Sequence, residues 1–276
     1  MIHHPSTANA QVKACASASI QYIGQVGVII RRNGFHVAID PYLTDSVDRL
    51  TDFPAGYWTR SYAPPVHPSE LNDLDLVLLT HEHQDHLDPE TLAILADASP
   101  NCKFAGPLAC QTLLADIGIA PDRLIALKYG TPMQANSELR IHPIAAWHEE
   151  REVDAEGWDR YLGYILQWDG LTIYHAGDTL VQEELIEMLH AYRIDIGMLP
   201  INGRDLFRNR LGVVGNMNAF EAAAFAAELR MNVVIPLHYD LYPNNSEGIA
   251  GFVDALLGKY RGQKFQLFQP GETRFF

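Results

Sequence analysis

The chain has 276 residues, of which 20 are lysine or arginine and 34 are aspartate or glutamate, so its formal net charge is −14. This length suits one large domain, and we expect a single domain over residues 1–276. The acidic balance repels phosphate backbones, which argues against nucleic acid as a partner. No apolar stretch approaches the roughly 20 residues that span a bilayer, which argues against a membrane protein.

The cysteines and the N-terminal segment predict a cytoplasmic location. Cys15, Cys102 and Cys110 form no Cys-X-X-Cys pair and indicate isolated thiols in a reducing compartment. The first residues lack the basic start and the apolar core of a secretory signal.

Apolar segments and turn residues alternate in the first half of the chain. Strands are expected at Gln25–Arg31, Phe35–Ile39, Leu74–Thr80 and Lys103–Ala105. Asp88 and Pro89 form a helix start, and that helix is expected to run to about Asp97. A second helix is expected at Pro107–Ile117. The irregular segment 46–70, rich in proline and aromatic residues, is either a packed surface loop or a lid over a site.

The second half repeats this alternation. Strands are expected at Leu139–Ala146, Tyr161–Gln167, Leu171–His175, Ile194–Leu199, Asn232–Pro236 and Phe265–Phe268. Helices are expected at Val181–Tyr192, Asn218–Arg230 and Gly248–Tyr260, with Asn218 as a cap. Hairpins followed by β-α alternation predict an α/β protein in which two mixed sheets pack face to face with helices outside, a four-layer αββα sandwich.

Residues 81–86 read His-Glu-His-Gln-Asp-His directly after an apolar run, and this is the strongest functional signal in the sequence. Neutral imidazole and carboxylate suit Zn²⁺ and similar divalent transition metals. The spacing is too tight for one helix face, so a turning loop is expected to aim His81 and His83 at one metal and Asp85 and His86 at another. The alternative is a histidine-rich surface loop.

Further candidate ligands follow predicted strands downstream. His148 comes after Ala-Ala-Trp, Asp178 lies in Tyr-His-Ala-Gly-Asp-Thr, and His238 comes after Ile-Pro-Leu. His142 competes with His148 for the same role, but its position in the middle of a strand is more typical of a packed residue. Because the ends of strands meet at one edge of a sheet, these side chains are expected to lie together.

With these residues the sequence resembles the metallo-β-lactamase superfamily over nearly its whole length. Within that superfamily it is most similar to the L-ascorbate-6-phosphate lactonase branch. The matching stretches are residues 79–88, 104–110, 118–123, 174–179 and 233–240. The resemblance implies the αββα fold and a hydrolase that uses two metal ions.

The resemblance also implies a ligand for each position of a two-metal site. The first metal is assigned to His81, His83 and His148, the second to Asp85, His86 and His238, and Asp178 is assigned to both. We expect Zn²⁺ or Mn²⁺, with Fe²⁺ also compatible. A metal-bound hydroxide is expected to attack the substrate, with Asp85 as the catalytic residue that orients it and accepts its proton. Asp40 either caps a turn or accepts a hydrogen bond from a ligand imidazole, and the resemblance favours the second.

Three arginines, Arg204, Arg208 and Arg210, follow a predicted strand in this acidic chain. Guanidinium groups bind phosphate and carboxylate in a bidentate manner. These residues either belong to a solvated loop or form an anion clamp that binds the substrate.

The predicted function is the metal-dependent hydrolysis of a small lactone, with a phosphorylated sugar lactone as one form of it. The first alternative is a phosphodiesterase similar to the phospholipase-D-like or RNA-processing branches. The second is a metal-stabilised binding protein without catalytic activity. The expected partner is a small-molecule substrate, with an anionic one included, and assembly into a homo-oligomer is left open.

Overall fold

Two seven-stranded sheets form the centre of residues 17–276, the part of the chain that this computed structural model describes. The strands of the first sheet, in spatial order, are β14 (Thr273–Phe275), β1 (Ser19–Gly24), β2 (Gly27–Arg32), β3 (Phe35–Ile39), β4 (Leu76–Leu78), β5 (Lys103–Gly106) and β6 (Leu124–Ala126). Those of the second are β13 (Lys264–Phe265), β12 (Val233–Leu237), β11 (Ile196–Pro200), β10 (Leu171–His175), β9 (Leu162–Trp168), β8 (Leu139–Ala145) and β7 (Met133–Gln134).

The two sheets share one pattern of strand directions. In the first, β14, β1, β2 and β3 pair antiparallel, and β3, β4, β5 and β6 pair parallel. In the second, β7 to β10 pair antiparallel, and β10 to β13 pair parallel. As a result, β3, β4, β8, β10, β11 and β12 each end in one of the loops that carry the candidate ligands and their partners.

Helices cover the outer face of each sheet. Their bounds are α1 (Ser46–Leu50), α2 (Pro89–Ala98), α3 (Leu108–Asp116), α4 (Glu183–Leu189), α5 (Leu206–Arg210), α6 (Ala219–Glu228) and α7 (Ala250–Gly258). Short 3-10 turns occupy Pro68–Glu70, Pro121–Arg123 and Pro243–Asn245. Asp88 and Asn218 cap α2 and α6 as predicted, each accepting hydrogen bonds from backbone N–H groups of the first turn.

Three apolar clusters correspond to the three interfaces of a four-layer sandwich. One lies between the sheets and joins Ile30 and Leu76 of the first to Leu166 of the second. A second packs α2 and α3 on the first sheet, and a third packs α4, α6 and α7 on the second. The predicted αββα architecture is therefore confirmed.

The sequence pattern did not predict four of the described strands, which lie at or next to the edges of the sheets, namely β1, β6, β7 and β14. The stretch predicted as a strand at Phe265–Phe268 is regular only over β13, and the helix predicted at Val181–Tyr192 is shorter, at α4. β6, β7 and β14 are edge strands of two or three residues, too short to show a recognisable apolar alternation. This reason does not apply to β1, which has six residues and pairs with both β14 and β2.

The sheets approach closely where the candidate ligand loops leave them. Leu162 N donates to Thr80 O at 3.0 Å, and a ring nitrogen of His175 lies 2.9 Å from Val26 O. Gly177 sits in this contact with φ +61°, and a Cβ there would lie 2.9 Å from Thr80 Cβ. Only glycine fits both the backbone angle and the gap, so this position brings the following Asp178 close to the first sheet.

Residues 46–70 contain α1, turns and one 3-10 turn, and a fourth apolar cluster lies beneath them. That cluster includes Tyr42, Val47, Trp58 and Tyr242. The segment is thus packed against the protein, and whether it opens as a lid stays a prediction.

No helix within residues 17–276 is long and apolar enough to cross a membrane. Cys102 and Cys110 are buried free thiols, and Cys15 lies outside the described residues.

Candidate metal centre

The predicted ligands converge at one edge of the sandwich in three overlapping groups. The groups are His81, His83 and His148; His81, His86 and Asp178; and Asp85, His86 and His238. Within each group the ligand atoms lie within 4.8 Å of one another. The first and third groups are the two metal sets predicted from the sequence, although the choice of ligands itself stays a proposal.

Each ligand is held by a loop that follows a strand. His81, His83, Asp85 and His86 occupy the turn between β4 and α2, His148 follows β8, Asp178 follows β10, and His238 follows β12. The strand ends fix where each loop starts, so the ligands converge although up to 157 positions separate them along the chain, from His81 to His238 (238 − 81).

Asp178 lies between the two predicted metal sets. Its Oδ2 atom is 3.4 Å from Nε2 of His86, 3.4 Å from Nε2 of His238 and 3.8 Å from Nε2 of His148. One carboxylate oxygen therefore faces ligands of both sets, as a bridging ligand must.

The donor atoms fit a metal because several of them are buried and form no hydrogen bond within residues 17–276. His81 Nε2, His86 Nε2 and Asp178 Oδ1 are buried without a hydrogen-bond partner among the described residues. A buried polar atom without a partner lowers the stability of the fold by about 1–3 kcal/mol. A metal cation can remove this cost, because imidazole nitrogens and carboxylate oxygens both coordinate metals. This donor set matches the preferences of Zn²⁺ and similar metals.

Burial keeps the imidazoles of the first set neutral. It lowers the pKa of His81 well below its usual value, and neighbouring imidazoles lower it further. Burial also lowers the pKa of His83, and it lowers the pKa of His148 to about 4. Neutral imidazole is the form that coordinates a metal.

The second set has the opposite electrostatics. Burial lowers the pKa of His86 and His238, but the charges of Asp178 and Asp85 outweigh it and raise both pKa values. Burial would raise the pKa of Asp178, yet His86 and His238 hold it well below its usual range. The two carboxylates therefore stay ionised and require positive charge beside them, which protons or a cation can supply.

Asp40 contacts the ring of His86 directly and that of His81 through Thr80. These contacts match the second role predicted for Asp40, that of a hydrogen-bond partner to a ligand imidazole. Its Oδ2 atom lies 2.8 Å from His86 Nδ1 and accepts a hydrogen bond from the hydroxyl of Thr80. Thr80 Oγ1 lies 3.0 Å from His81 Nδ1, so both rings present Nε2 to the centre. Such carboxylate contacts fix the tautomer of a ligand histidine.

Gln25 contacts the ligands Asp85 and His238, and no sequence motif predicts this role. Its Nε2 atom donates to Asp85 Oδ2 at 2.7 Å and lies 3.3 Å from His238 Nε2, while its backbone oxygen accepts from His238 N at 2.8 Å. The side chain is buried and uncharged, and it lies 60 positions from Asp85, so no local motif indicates it.

A chain of three buried asparagines supports His148 and was also missed. His148 Nδ1 lies 3.1 Å from Asn216 Oδ1. Asn216 Nδ2 donates to Asn202 Oδ1 at 3.0 Å, and Asn202 Nδ2 donates to Asn245 Oδ1 at 3.0 Å. Arg208 Nη1 completes the chain with bonds to Asn202 O at 2.9 Å and Asn245 Oδ1 at 3.1 Å. These contacts direct Nε2 of His148 toward the centre.

Several residues at the site adopt a left-handed backbone conformation that non-glycine residues rarely take. The φ angles are 58° at Gln25, 43° at Asp40 and 63° at His238. Each lies at or just after a strand end or in the β1–β2 turn, where the chain must reverse its side-chain direction to reach the centre. Such angles cost about 1–3 kcal/mol each and are retained where surrounding contacts impose them.

The three arginines of the predicted anion clamp lie on or next to α5 and do not line the cavity over the centre. Arg204 forms a bidentate pair with Glu221, with distances of 2.7 and 2.8 Å. Arg208 pairs with Asp205 at 2.6 Å and joins the asparagine chain. Arg210 is exposed. The contacts give Arg204 and Arg208 structural roles, so the geometry lends the clamp no support.

A cavity of about 230 Å³ lies over the centre. Its lining includes the ligands His83, Asp85, His148, Asp178 and His238. The remaining lining residues are Val47, Thr51, Phe53, Trp58, Gln84, Gly212, Val213, Val214, Tyr242 and Asn245. Four of these, from Val47 to Trp58, belong to the irregular segment 46–70, which therefore forms one wall of the site.

Comparison with known proteins gives the same family. The model of the beta-lactamase superfamily domain matches residues 36–239. A metal-dependent hydrolase from Hyperthermus butylicus is 27% identical over 263 residues, covering 93% of this chain and 99% of that protein. A probable L-ascorbate-6-phosphate lactonase from Salmonella heidelberg is 26% identical over 192 residues, covering 65% of this chain and 52% of the lactonase. The chain thus aligns with about half the length of that lactonase.

Among solved structures, a metallo hydrolase from the hyperthermophilic archaeon Ignicoccus hospitalis has the same fold. It superposes with a TM-score of 0.68 at 24% identity, covering 94% of this chain and 98% of that one.

The first prediction concerns metal content. Protein purified without chelator and then remetallated is expected to bind up to two divalent transition metals per chain, because seven ligands form two sets joined by Asp178. Elemental analysis of the wild type, His86→Ala and His142→Ala checks this. His86→Ala should lose metal, and the control His142→Ala should not, since His142 contacts Gln167 and Tyr192 outside the ligand groups. Absence of bound metal after remetallation would contradict the site.

The second prediction concerns Asn216. Asn216→Ala is expected to weaken metal binding about 10- to 100-fold, because His148 Nδ1 loses the partner that fixes its tautomer. Competition with a chromophoric chelator measures the affinity. Asn209→Ala is the matched control, since that exposed amide bonds only to Glu149 among the residues described.

Asn216→Asp keeps the acceptor oxygen and should retain more affinity than the alanine variant. Thermal unfolding of all three variants separates weakened coordination from a folding defect. Wild-type affinity in a folded Asn216→Ala protein would show that Asn216 does not position His148.

Proposed function

The chain belongs to the metallo-β-lactamase superfamily of metal-dependent hydrolases, and on that premise we propose that it opens the ring of a small lactone. The observation that carries this proposal is the pair of ligand sets, joined at Asp178, at the floor of a small cavity. Similarity to probable L-ascorbate-6-phosphate lactonases supports a cyclic ester as the substrate class.

The size and lining of the cavity favour a small molecule over a nucleic acid or another phosphodiester polymer. Benzene occupies a cavity of roughly 150 Å³ in a protein interior, so about 230 Å³ holds one ring with a modest substituent. No lysine or arginine among residues 17–276 lines the cavity, whereas phosphodiester backbones are bound through such residues.

We propose Zn²⁺ or Mn²⁺ as the bound metals, with Fe²⁺ also compatible with the donor set. When bound, two such cations supply Lewis acidity toward a carbonyl oxygen and lower the pKa of water. The protein's own groups then determine where protons move and which substrates reach the centre.

Asp85 is the group proposed to transfer the proton. Both Asp85 and Asp178 line the cavity, but the side chain of Asp85 is 20% exposed and that of Asp178 only 5%. Gln25 holds one carboxylate oxygen of Asp85 by a 2.7 Å hydrogen bond. Hydrolysis adds a hydroxyl to the lactone carbonyl and a proton to the ring oxygen. Asp85 accepts the proton of the attacking water and returns it to the ring oxygen as the C–O bond breaks.

A substrate panel tests the proposed reaction class. Metal-loaded protein should hydrolyse an unsubstituted small lactone with a higher kcat/KM than a bis-aryl phosphodiester or a monocyclic lactam. Only the lactone contains the cyclic ester bond that the proposed reaction cleaves. The same protein after chelation is the control. Hydrolysis of the phosphodiester alone would replace the lactonase proposal with a phosphodiesterase.

A further prediction concerns the mechanism. Asp85→Asn keeps the size of the side chain but removes its charge and proton acceptor, so kcat is expected to fall about 100-fold or more. Because this change also weakens one ligand, metal occupancy is measured in the same samples by elemental analysis. Turnover equal to the wild type at full occupancy would remove Asp85 from proton transfer.

A further inference from the structure

We propose that the cavity selects uncharged substrates that carry a compact apolar substituent, so that specificity is set by an aromatic wall and not by an anion clamp. This inference rests on the proposed lactone hydrolysis and names the class of lactone. It is carried by the chemistry of the cavity wall beyond the ligands.

The apolar part of the wall is a connected aromatic surface. The ring centroids of Phe53 and Trp58 lie 5.1 Å apart, and those of Trp58 and Tyr242 lie 5.3 Å apart, both edge to face. Val47 and Val213 pack in the same cluster and also line the cavity. A planar or aliphatic group attached to the reacting ring can pack against these faces and leave water.

Within the part of the chain that the structure describes, the polar part of the wall beyond the ligands carries no charge. It consists of Thr51, Gln84 and Asn245. These groups can hydrogen-bond a carbonyl or a hydroxyl of the substrate, but they cannot neutralise a phosphate or a carboxylate.

Arg49, Arg60 and Arg208 each have partners of their own. Arg49 pairs with Asp45 at 2.7 Å and Glu90 at 2.6 Å. Arg60 lies over the ring of Tyr42 and donates through Nη1 to Thr44 O at 2.8 Å, while its Nη2 atom is buried without a hydrogen-bond partner among the described residues. Arg208 is held by Asp205 and the asparagine chain. None of the three lines the cavity.

A substrate with a distant anionic group would therefore place that charge against an apolar wall. A charge that leaves water without a partner is strongly disfavoured. An uncharged substituent of the same size loses nothing by the same transfer and gains from the burial of its apolar area.

The test compares two lactones of nearly equal size that differ in charge, the para-nitro and para-carboxy derivatives of γ-phenyl-γ-butyrolactone, with metal-loaded protein. The neutral lactone is expected to have a kcat/KM at least about tenfold higher, with the difference mainly in KM. An equal or higher kcat/KM for the carboxylate would overturn the inference.

The variant Phe53→Ala tests the aromatic wall. It should raise KM for the phenyl lactone about tenfold, because an apolar contact is lost. It should change KM for the unsubstituted γ-butyrolactone by no more than about twofold, because that substrate has no group to reach the wall. Phe207→Ala is the matched control, since Phe207 is 73% exposed and does not line the cavity. Equal losses on both lactones in Phe53→Ala would overturn the assignment of this wall.

A binding measurement separates this inference from the proposed reaction. The para-nitro and para-carboxy derivatives of phenylcyclopentanone resemble the two lactones but have no ester to cleave, and their affinities can be measured by calorimetry. Tighter binding of the neutral ketone without hydrolysis of any lactone would support the apolar cavity and refute the lactonase. Hydrolysis of lactones together with tighter binding of the carboxylate would support the lactonase and refute the apolar cavity.

Discussion

Charge balance around Asp178 is the constraint on which the arrangement of the site depends. Its Oδ2 atom faces His86 and His238 at 3.4 Å each, and Asp85 brings a second carboxylate into the same buried space. Buried carboxylates are stable only beside positive charge, so the site must gather either protons or cations. The close approach of the two sheets at Gly177 makes this balance possible, because Asp178 follows a strand of one sheet and His86 follows a strand of the other. Asp40 then holds the ring of His86 directly and that of His81 through Thr80, so that each directs Nε2 inward.

Much of the fold and of the ligand set could be predicted because both have short-range signatures. The motif at residues 81–86 lies within one loop, and His148, Asp178 and His238 each follow a recognisable strand. The supporting residues have no such signature. Gln25 reaches Asp85 across 60 positions and Asn216 reaches His148 across 68, and both are neutral amides of a kind common in loops. Their roles come from tertiary contacts, which a single sequence does not encode locally.

The arginine-rich loop shows the limit of reading charge from composition. The sequence places three arginines within seven residues, yet their partners are set by the fold. Arg204 binds Glu221, which is also the third residue of α6 and belongs to its capping box. In contrast, the proline-rich segment 46–70 carries no charged motif but contributes Phe53 and Trp58 to the cavity wall. The proposed recognition surface therefore lies on the irregular loop and not on the basic one.

The left-handed backbone of Gln25, Asp40 and His238 has an evolutionary consequence. Glycine would adopt these angles without steric cost, so the strain at these positions is retained together with the side chains that they carry. The side chains present there hold Asp85, orient His86 and face Asp178, respectively. Relatives that have lost catalysis could replace these three residues by glycine, whereas active relatives would have to keep the side chains and the less stable backbone. The identity of these three residues can thus serve as a record of whether a lineage has remained under selection for turnover.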